Sequence, residues 1–258
     1  VPFPDGFRTE DTSFGLFEKT LKKLGVSPSS FAGVIVETYQ GGGASMMPVA
    51  YVKSLRKWCN KHNALLTFDE VQAGFGRCGK MWGFEHYGVV PDLFCLGKGI
   101  SSSLPISAII GRQKIMDLYG PNEMTSTHSG NPVCCAAALA NIEAIIDKGY
   151  IRNSAKVGKV LRAELRKIAD EFSDVIGACH GVGLVAGLHV TKKGSKKPDT
   201  DLAWEVVYRC YRKGLLMFAP VGFANATVKI APPLCVSASA VREGCRVIRE
   251  AFAEIVEK

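Results

Sequence analysis

Two ionisable side chains, Asp69 and Lys98, each follow an apolar run and have the clearest potential for chemistry. Asp69 ends the run LLTFD, and Lys98 follows DLFCLG after one intervening loop. The end of a buried strand desolvates a charge, so we expect both side chains to be partly buried and the lysine to be nucleophilic. Spacing alone favours a buried ion pair between them. The chemical alternative is a Schiff-base lysine facing a carboxylate that keeps a pyridine nitrogen protonated.

The elements that position these residues are short apolar strands alternating with helical patterns. The predicted elements are a helix over residues 48–62 and strands over residues 31–37, 64–70, 92–97 and 106–111. Near-continuous hydrophobicity within the strands predicts a parallel sheet covered on both faces. Ligands of such sheets bind at the carboxyl ends of the strands. Glu37, Asp69 and Lys98 all follow or end a predicted strand, so they are candidates for one site.

From Pro132 onward the pattern becomes mainly helical and predicts a second, smaller α+β unit. The predicted elements are helices over residues 133–148, 150–172, 201–213 and 238–256 and strands over residues 183–191, near Leu215 and near Val228. We therefore predict two domains. Residues 1–135 form part of a large domain, and residues 136–258 form a small C-terminal domain.

Composition narrows the classes of partner and compartment. The net charge is +8, but the basic residues occur as short pairs with no basic stripe interleaved with aromatics, which argues against nucleic acid. No apolar stretch approaches the length of a membrane span and no signal peptide is visible, so we expect no membrane partner. Nine cysteines without a CxxC pair favour a reducing, cytoplasmic compartment, and the five scattered histidines argue against a metal site.

The stretch from Leu65 to Gly111 resembles the cofactor region of the class III aminotransferases. The similarity includes the motifs DEVQ, GFGR, PD before the lysine strand, and GKG around Lys98. It continues on both sides of this stretch, in Glu37 with QG at residues 40–41, in STHSGNP at residues 126–132 and in PPL at residues 232–234. The resemblance therefore covers nearly the whole chain.

This resemblance implies a fold and a cofactor. The fold would be the pyridoxal-phosphate (PLP) transferase fold type I, α/β, with a mostly parallel sheet in the large domain and a smaller α+β C-terminal domain. Lys98 would hold PLP as a Schiff base and then move a proton, and Asp69 would pair with the pyridinium nitrogen. Gln72 would lie near the phenolic oxygen of the ring. Thr127 would reach the phosphate in the neighbouring subunit, which implies a homodimer with shared active sites.

The implied activity is that of a PLP-dependent aminotransferase, moving an amino group between an amine or amino acid and a 2-oxo acid. Glu37, Arg77 and Lys229 are the candidate substrate-binding residues, with a surface or interface role as the alternative for Arg77. In many family members a glutamate stands where this chain has Gly42, and an arginine where it has Lys229. Lysine lacks the bidentate fork of arginine. A standard 4-aminobutyrate or ornithine activity is therefore an open question.

Three alternatives remain open from the sequence. Family members carry an upstream region with the main phosphate-binding loop and an aromatic residue that stacks on the ring, and neither precedes Asp69 here. The resemblance is thus to the C-terminal two-thirds of such a chain, which we expect to bind PLP weakly on its own. The alternatives to transamination are epimerisation on the same scaffold, decarboxylation, and a catalytically incomplete fragment.

Overall fold

The computed structural model describes residues 1–256 and contains two β-sheets, each packed against helices. The first sheet has four strands in the order β1-β2-β3-β4. These strands are β1 (Gly33–Glu37), β2 (Leu65–Asp69), β3 (Leu93–Leu96) and β4 (Ala108–Gly111). The first three are parallel and the fourth is antiparallel to its neighbour. The structure confirms an α/β fold with a mostly parallel sheet.

Three helices accompany this sheet: α1 (Gly15–Lys23), α2 (Val49–Lys61) and α3 (Gln113–Met116). α2 connects β1 to β2 and begins directly after Pro48, whose fixed φ suits the start of a helix. Its residues Val52, Leu55 and Cys59 recur at helical spacing and are completely or almost completely buried. They pack in one core with Leu66 and Phe68 of β2, which fixes the helix on one face of the sheet.

The second sheet is antiparallel, in the order β5-β6-β7. Its strands are β5 (Ile176–Val182), β6 (Val185–Val190) and β7 (Thr227–Ile230). The helices of this half are α4 (Pro132–Asp147), α5 (Tyr150–Glu171), α6 (Thr200–Arg212) and α7 (Ala238–Val256). Every residue of β6 is buried, because this central strand lies under the largest apolar core of the chain. The division at residue 135 stays a prediction, since α4 spans it.

The structure corrects two predicted elements of this half. The strand expected near Leu215 is wrong, because residues 215–220 have no regular secondary structure. β5 was not predicted, because its sequence IGACHGV holds two glycines, an alanine and a histidine rather than a run of β-branched or aromatic residues. The strand predicted over residues 183–191 corresponds to β6, the partner of β5 in a tight hairpin.

The two sheets are held together next to the carboxyl end of β2. The Arg77 Nη1 group donates to the carbonyl oxygens of Leu184 at 2.9 Å and Pro232 at 2.6 Å. The Leu184 backbone N–H donates in return to the Arg77 carbonyl at 3.0 Å. The loop after β2 is therefore fixed on the β5–β6 turn. Within residues 1–256, no helix has the length and apolarity needed to cross a membrane.

Candidate active site

Lys98 lies just beyond the carboxyl end of β3, in a single 3-10 turn, Lys98–Ile100. Its φ is +39°, a left-handed conformation that is uncommon for a residue with a side chain and clusters at functional sites. The Asn141 side chain holds this turn by donating to the Gly99 carbonyl at 2.7 Å and the Ile100 carbonyl at 3.2 Å. Lys98 itself is exposed, so the expectation of partial burial is wrong. The left-handed turn follows the buried Gly97 and leaves Lys98 on the surface of the sheet edge.

Asp69 is half-buried at the carboxyl end of β2, paired in register with Glu37 of β1 and Cys95 of β3. Its Oδ1 accepts a hydrogen bond from the Val71 backbone N–H at 2.9 Å. Among residues 1–256, no lysine or arginine forms an ion pair with this carboxylate. The buried Asp69–Lys98 ion pair that spacing favours is therefore not formed. The carboxylate keeps acceptor capacity for a protonated group.

A cleft of about 490 Å³ lies between the loop after β2, the Lys98 turn and the segment after β7. Four of the predicted site residues line it: Lys98, Gln72, Arg77 and Lys229. The other three do not. Asp69 lies two residues before Val71 of the cleft wall, whereas Glu37 lines a neighbouring cavity of about 650 Å³. Thr127 lies in residues 117–131, a wholly exposed segment without regular helix or strand.

Lys229 connects the cleft to the loop after β1. Its Nζ donates to the Gly41 carbonyl and to Gln72 Oε1, both at 2.6 Å. Burial lowers the pKa of Lys229, the nearby charges of Lys98 and Arg77 lower it further, and Glu37 opposes the shift. The ammonium group has three donors, so one remains for a ligand in the cleft.

Arg77 is the third cation of the cleft wall, with Lys98 and Lys229. Burial lowers the pKa of its guanidinium. Its Nη1 is committed to two backbone carbonyls, and among the described residues it forms no ion pair with a carboxylate. A half-buried cation of this kind favours an anionic group in the cleft. The cleft wall is positively charged, and no carboxylate of the described residues pairs with Arg77. These two features therefore suit a substrate that carries a carboxylate.

The loop at Gly42 explains one departure from the family pattern. A Cβ on Gly42 would lie 2.6 Å from Gly222 Cα, closer than nonbonded carbon atoms approach. The glutamate that many members carry here therefore requires the two backbones to move apart. Glu37 instead supports the loop through its Oε1, which accepts a hydrogen bond from the Gly41 N–H at 3.2 Å.

Among the cleft residues that were not identified as site residues from the sequence are Tyr39, Asn141 and Phe218. Tyr39 is buried, its hydroxyl donates to the Gln72 carbonyl at 3.2 Å, and burial raises the pKa of this hydroxyl strongly. Asn141 carried a readable signal, because it is an amide within the otherwise apolar first three turns of α4. Tyr39 and Phe218 carried none, since aromatic residues are ordinary core residues.

These positions fit PLP. An exposed amine at the cleft can condense with an aldehyde, and a carboxylate without a cationic partner can hold a pyridinium N–H. Both groups lie at the carboxyl edge of adjacent parallel strands, where ligands of α/β sheets bind. Together with the fold, this arrangement defines a class of protein, the α/β enzymes that use a lysine-bound aldehyde cofactor.

Comparison with known proteins specifies the family. The family model for aminotransferase class-III matches residues 1–252, and the chain belongs to this family. It is 35% identical over 224 residues to a 4-aminobutyrate aminotransferase of Mycobacterium leprae, covering 86% of this chain and 50% of that protein. A leucine/methionine racemase of Thermococcus litoralis is 37% identical over 271 residues, covering 100% of this chain and 59% of the racemase.

Solved structures agree with this family. The PLP-bound amine transaminase from an uncultivated Pseudomonas species superposes with a TM-score of 0.84 at 30% identity, covering 93% of this chain and 56% of that one. The chain thus spans between half and three-fifths of the length of each of these proteins. The fold is that of the PLP-dependent transaminases.

Proposed function

We propose that this chain carries the lysine side of the active site of a PLP-dependent aminotransferase, which moves an amino group between an amine or amino acid and a 2-oxo acid. One observation carries the proposal. Lys98 is exposed in a left-handed turn at the cleft, one strand away from a carboxylate with which no lysine or arginine of residues 1–256 forms an ion pair. A purely structural lysine needs neither the unusual turn nor the open cleft.

When bound, PLP supplies an electron sink that stabilises negative charge at the substrate carbon bearing the amino group. Lys98 would bind the cofactor and, once released by the substrate, move a proton at its Nζ. Asp69 would keep the ring nitrogen protonated, which requires a carboxylate not already paired. Gln72 would lie at the phenolic oxygen, held in place by its hydrogen bond with Lys229.

The substrate carboxylate would bind at Lys229, with Arg77 contributing charge. Lys229 lines the cleft and has one N–H donor beyond the two that Gly41 and Gln72 accept, and these two acceptors fix the position of the ammonium group. Glu37 would affect substrate binding indirectly, because its carboxylate accepts a hydrogen bond from the Gly41 backbone, which Lys229 contacts. Because the pKa of Lys229 is lowered, its ammonium group loses its proton at a lower pH than an ordinary lysine does. As the pH rises, carboxylate binding is therefore expected to weaken before the usual lysine range is reached.

The partner in this proposal is a second copy of the chain, in the cytoplasm, with Thr127 at the phosphate of the neighbouring subunit. Thr127 is exposed and outside the cleft of its own chain, as a residue serving another subunit must be. The surrounding surface supports the proposal because it exposes large apolar side chains that a partner would cover. These are Leu118, Tyr119, Met124, Val133 and Leu139.

Covalent labelling tests the proposal. We expect borohydride reduction after addition of PLP to attach a pyridoxyl group to the peptide carrying Lys98. The label is expected to disappear in Lys98→Ala and to persist in Lys192→Ala, which removes an exposed lysine that does not line the cleft. A label spread over surface lysines, or one that survives in Lys98→Ala, would contradict the assignment of Lys98.

A second candidate function, racemisation or epimerisation of an amino acid, has the support of the Thermococcus litoralis racemase, which is similar over the whole chain. The two functions need the same first steps at Lys98. They differ in whether an oxo acid is required. Inversion of an amino acid in D₂O without any oxo acid would favour epimerisation, and amino-group transfer dependent on an oxo acid would favour transamination.

A further inference from the structure

A second cavity, of about 460 Å³, adjoins the candidate active site on its C-terminal side. Helices α5 and α7 bound it together with the irregular segment that follows α6 and the residues that follow β7. Four residues line both cavities: Phe218, Lys229, Ala231 and Pro233. The two spaces are therefore neighbours, and Lys229 stands at their junction. We call this second cavity the apolar cleft.

The lining of the apolar cleft is almost entirely hydrocarbon. Leucine, isoleucine, valine, methionine, proline and alanine side chains form most of it, among them Leu161, Met217 and Ile248. Lys229 is the one charged residue among its described lining residues. Its volume lies in the range that binds small molecules. Such a space favours an apolar group and disfavours a charged one, which would lose its hydration there without gaining a partner.

Resting on the proposed function, we infer that the apolar cleft receives the hydrocarbon side chain of the amino-acid substrate. The amino group would face Lys98, the carboxylate would bind the free donor of Lys229 at the junction, and the side chain would extend past Phe218. The substrate class is therefore α-amino acids with apolar side chains of three or more carbons.

Phe218 suits the position between the two cavities. It lies in residues 215–220, which have no regular secondary structure, and its ring is 54% exposed. Neighbouring Leu216 is 81% exposed, whereas Leu215 and Met217 of the same segment pack against the apolar core, so the part of this wall formed by Leu216 and Phe218 is free of core packing. A wall of this kind can adjust to side chains of different length at small cost.

Gly244 offers a variant that fills the cleft. It lies on α7 at the cleft wall, and a Cβ there would meet only Leu215 Cδ1 at 3.6 Å and Cδ2 at 4.0 Å, ordinary contact distances. Gly244→Leu therefore occupies cleft volume without a backbone clash, and it removes a glycine from a helix interior, which favours folding. Glu243→Leu is the matched control, because this neighbouring residue is exposed and outside the cleft.

The experiment measures the binding of 2-aminobutyrate, norvaline and norleucine to the chain by titration calorimetry, with lysine as the charged counterpart of norleucine. In the unsubstituted chain and in Glu243→Leu, we expect affinity to rise up to about fourfold with each added methylene group. Lysine is expected to bind at least about tenfold more weakly than norleucine, because its ammonium group is desolvated. In Gly244→Leu the rise with chain length is expected to vanish.

Two results would overturn the inference: affinity that does not depend on chain length, or a dependence that Gly244→Leu leaves intact. Lysine binding as tightly as norleucine would overturn the apolar specificity. Borohydride labelling of Lys98 in the same variants separates this inference from the proposed function. If the label forms but the chain-length series is flat, only the cleft assignment fails. If the series holds but Lys98 is never labelled, the proposed function fails instead.

Discussion

Two aspartates of the first sheet differ in how their charge is compensated. Asp69 lies at the carboxyl end of β2, and Asp92 lies at the amino end of the neighbouring parallel strand β3, so the two are on opposite edges of the sheet, the carboxyl edge and the amino edge. Asp92, directly before β3, is 5% exposed, and its Oδ2 accepts from Arg56 Nη1 at 2.6 Å and the Leu66 N–H at 2.8 Å. Arg112 approaches its other oxygen at 3.2 Å. Asp69, at the opposite edge, is half-buried, accepts from one backbone N–H and has no ion-pair partner among the described residues.

This difference separates a structural carboxylate from one available to a ligand. Burial raises the pKa of Asp92, but the hydrogen bonds from Leu66 and Arg56 and the charges of Arg56 and Arg112 outweigh it, so the net pKa is lowered. The sheet thus fixes its amino edge with a closed ion-pair network and leaves its carboxyl edge open. A carboxylate whose bonding capacity is not used by the protein is the one that can bind a cofactor.

The largest effect is expected at Asp92. Asp92→Ala leaves Arg56, whose side chain is only 14% exposed, without its partner. Loss of one member of a buried ion pair costs about 3–5 kcal/mol. We expect the free energy of unfolding in urea to fall by that amount.

A matched control is the double variant Arg56→Met with Asp92→Ala, which removes both charges and is expected to recover part of the loss. A loss in Asp92→Ala as small as that of an exposed aspartate would show that the amino edge does not depend on this network.

An intermediate effect concerns pH, through His189 of β6. Burial and the neighbouring His180 lower the pKa of His189 to about 4 from 6.5, although a hydrogen bond from its Nε2–H to the Gly43 carbonyl opposes the shift. The folded state therefore holds this ring neutral while the unfolded chain protonates it. The contribution of His189 to the free energy of unfolding is therefore present above pH 6.5 and falls by about 3 kcal/mol as the pH drops to 4. Urea unfolding across this range measures the slope.

His189→Gln keeps a donor for Gly43 but cannot titrate, so its stability is expected to vary much less between pH 6.5 and 4. An unchanged slope in that variant would assign the acid sensitivity to other groups. Asp92 stabilises the folded state throughout this range and does not contribute to the change with pH. Because its pKa is lowered, its stabilisation is lost only as the pH falls below the ordinary aspartate value of 3.8. The pH profile therefore distinguishes the two groups.

Much of this organisation was predictable from the sequence. The four strands of the first sheet were predicted because each is a short apolar run between turn residues, and Lys98 and Asp69 were predicted because polar residues follow those runs. Hydrophobic pattern does not encode strand direction, so the antiparallel pairing of β4 could not be read from it. β5 was missed because glycine, histidine and cysteine are weak strand signals.

The details of the site depend on contacts between residues distant in sequence. The contact of Lys229 with Gln72 joins residues 157 positions apart, and the approach of Gly42 to Gly222 depends on two separate loops. The exposure of Lys98 follows from one left-handed backbone angle, which nothing in the sequence specifies for a lysine. Residue types therefore predicted the chemistry, and tertiary packing determined which groups are open to it.

The smallest expected change in stability comes at Asp69, and it accompanies the most direct test of the site. Asp69→Asn keeps the side-chain oxygen that accepts from Val71, so we expect the free energy of unfolding to change by less than about 0.5 kcal/mol. The quantity to measure is the PLP dissociation constant, from a titration monitored through the absorbance of the lysine-bound cofactor. Loss of a charge-assisted hydrogen bond of about 1.5–3 kcal/mol predicts binding about 10- to 150-fold weaker than in the unsubstituted chain. Unchanged PLP affinity in a folded Asp69→Asn variant would contradict the assignment of the open carboxylate to the cofactor.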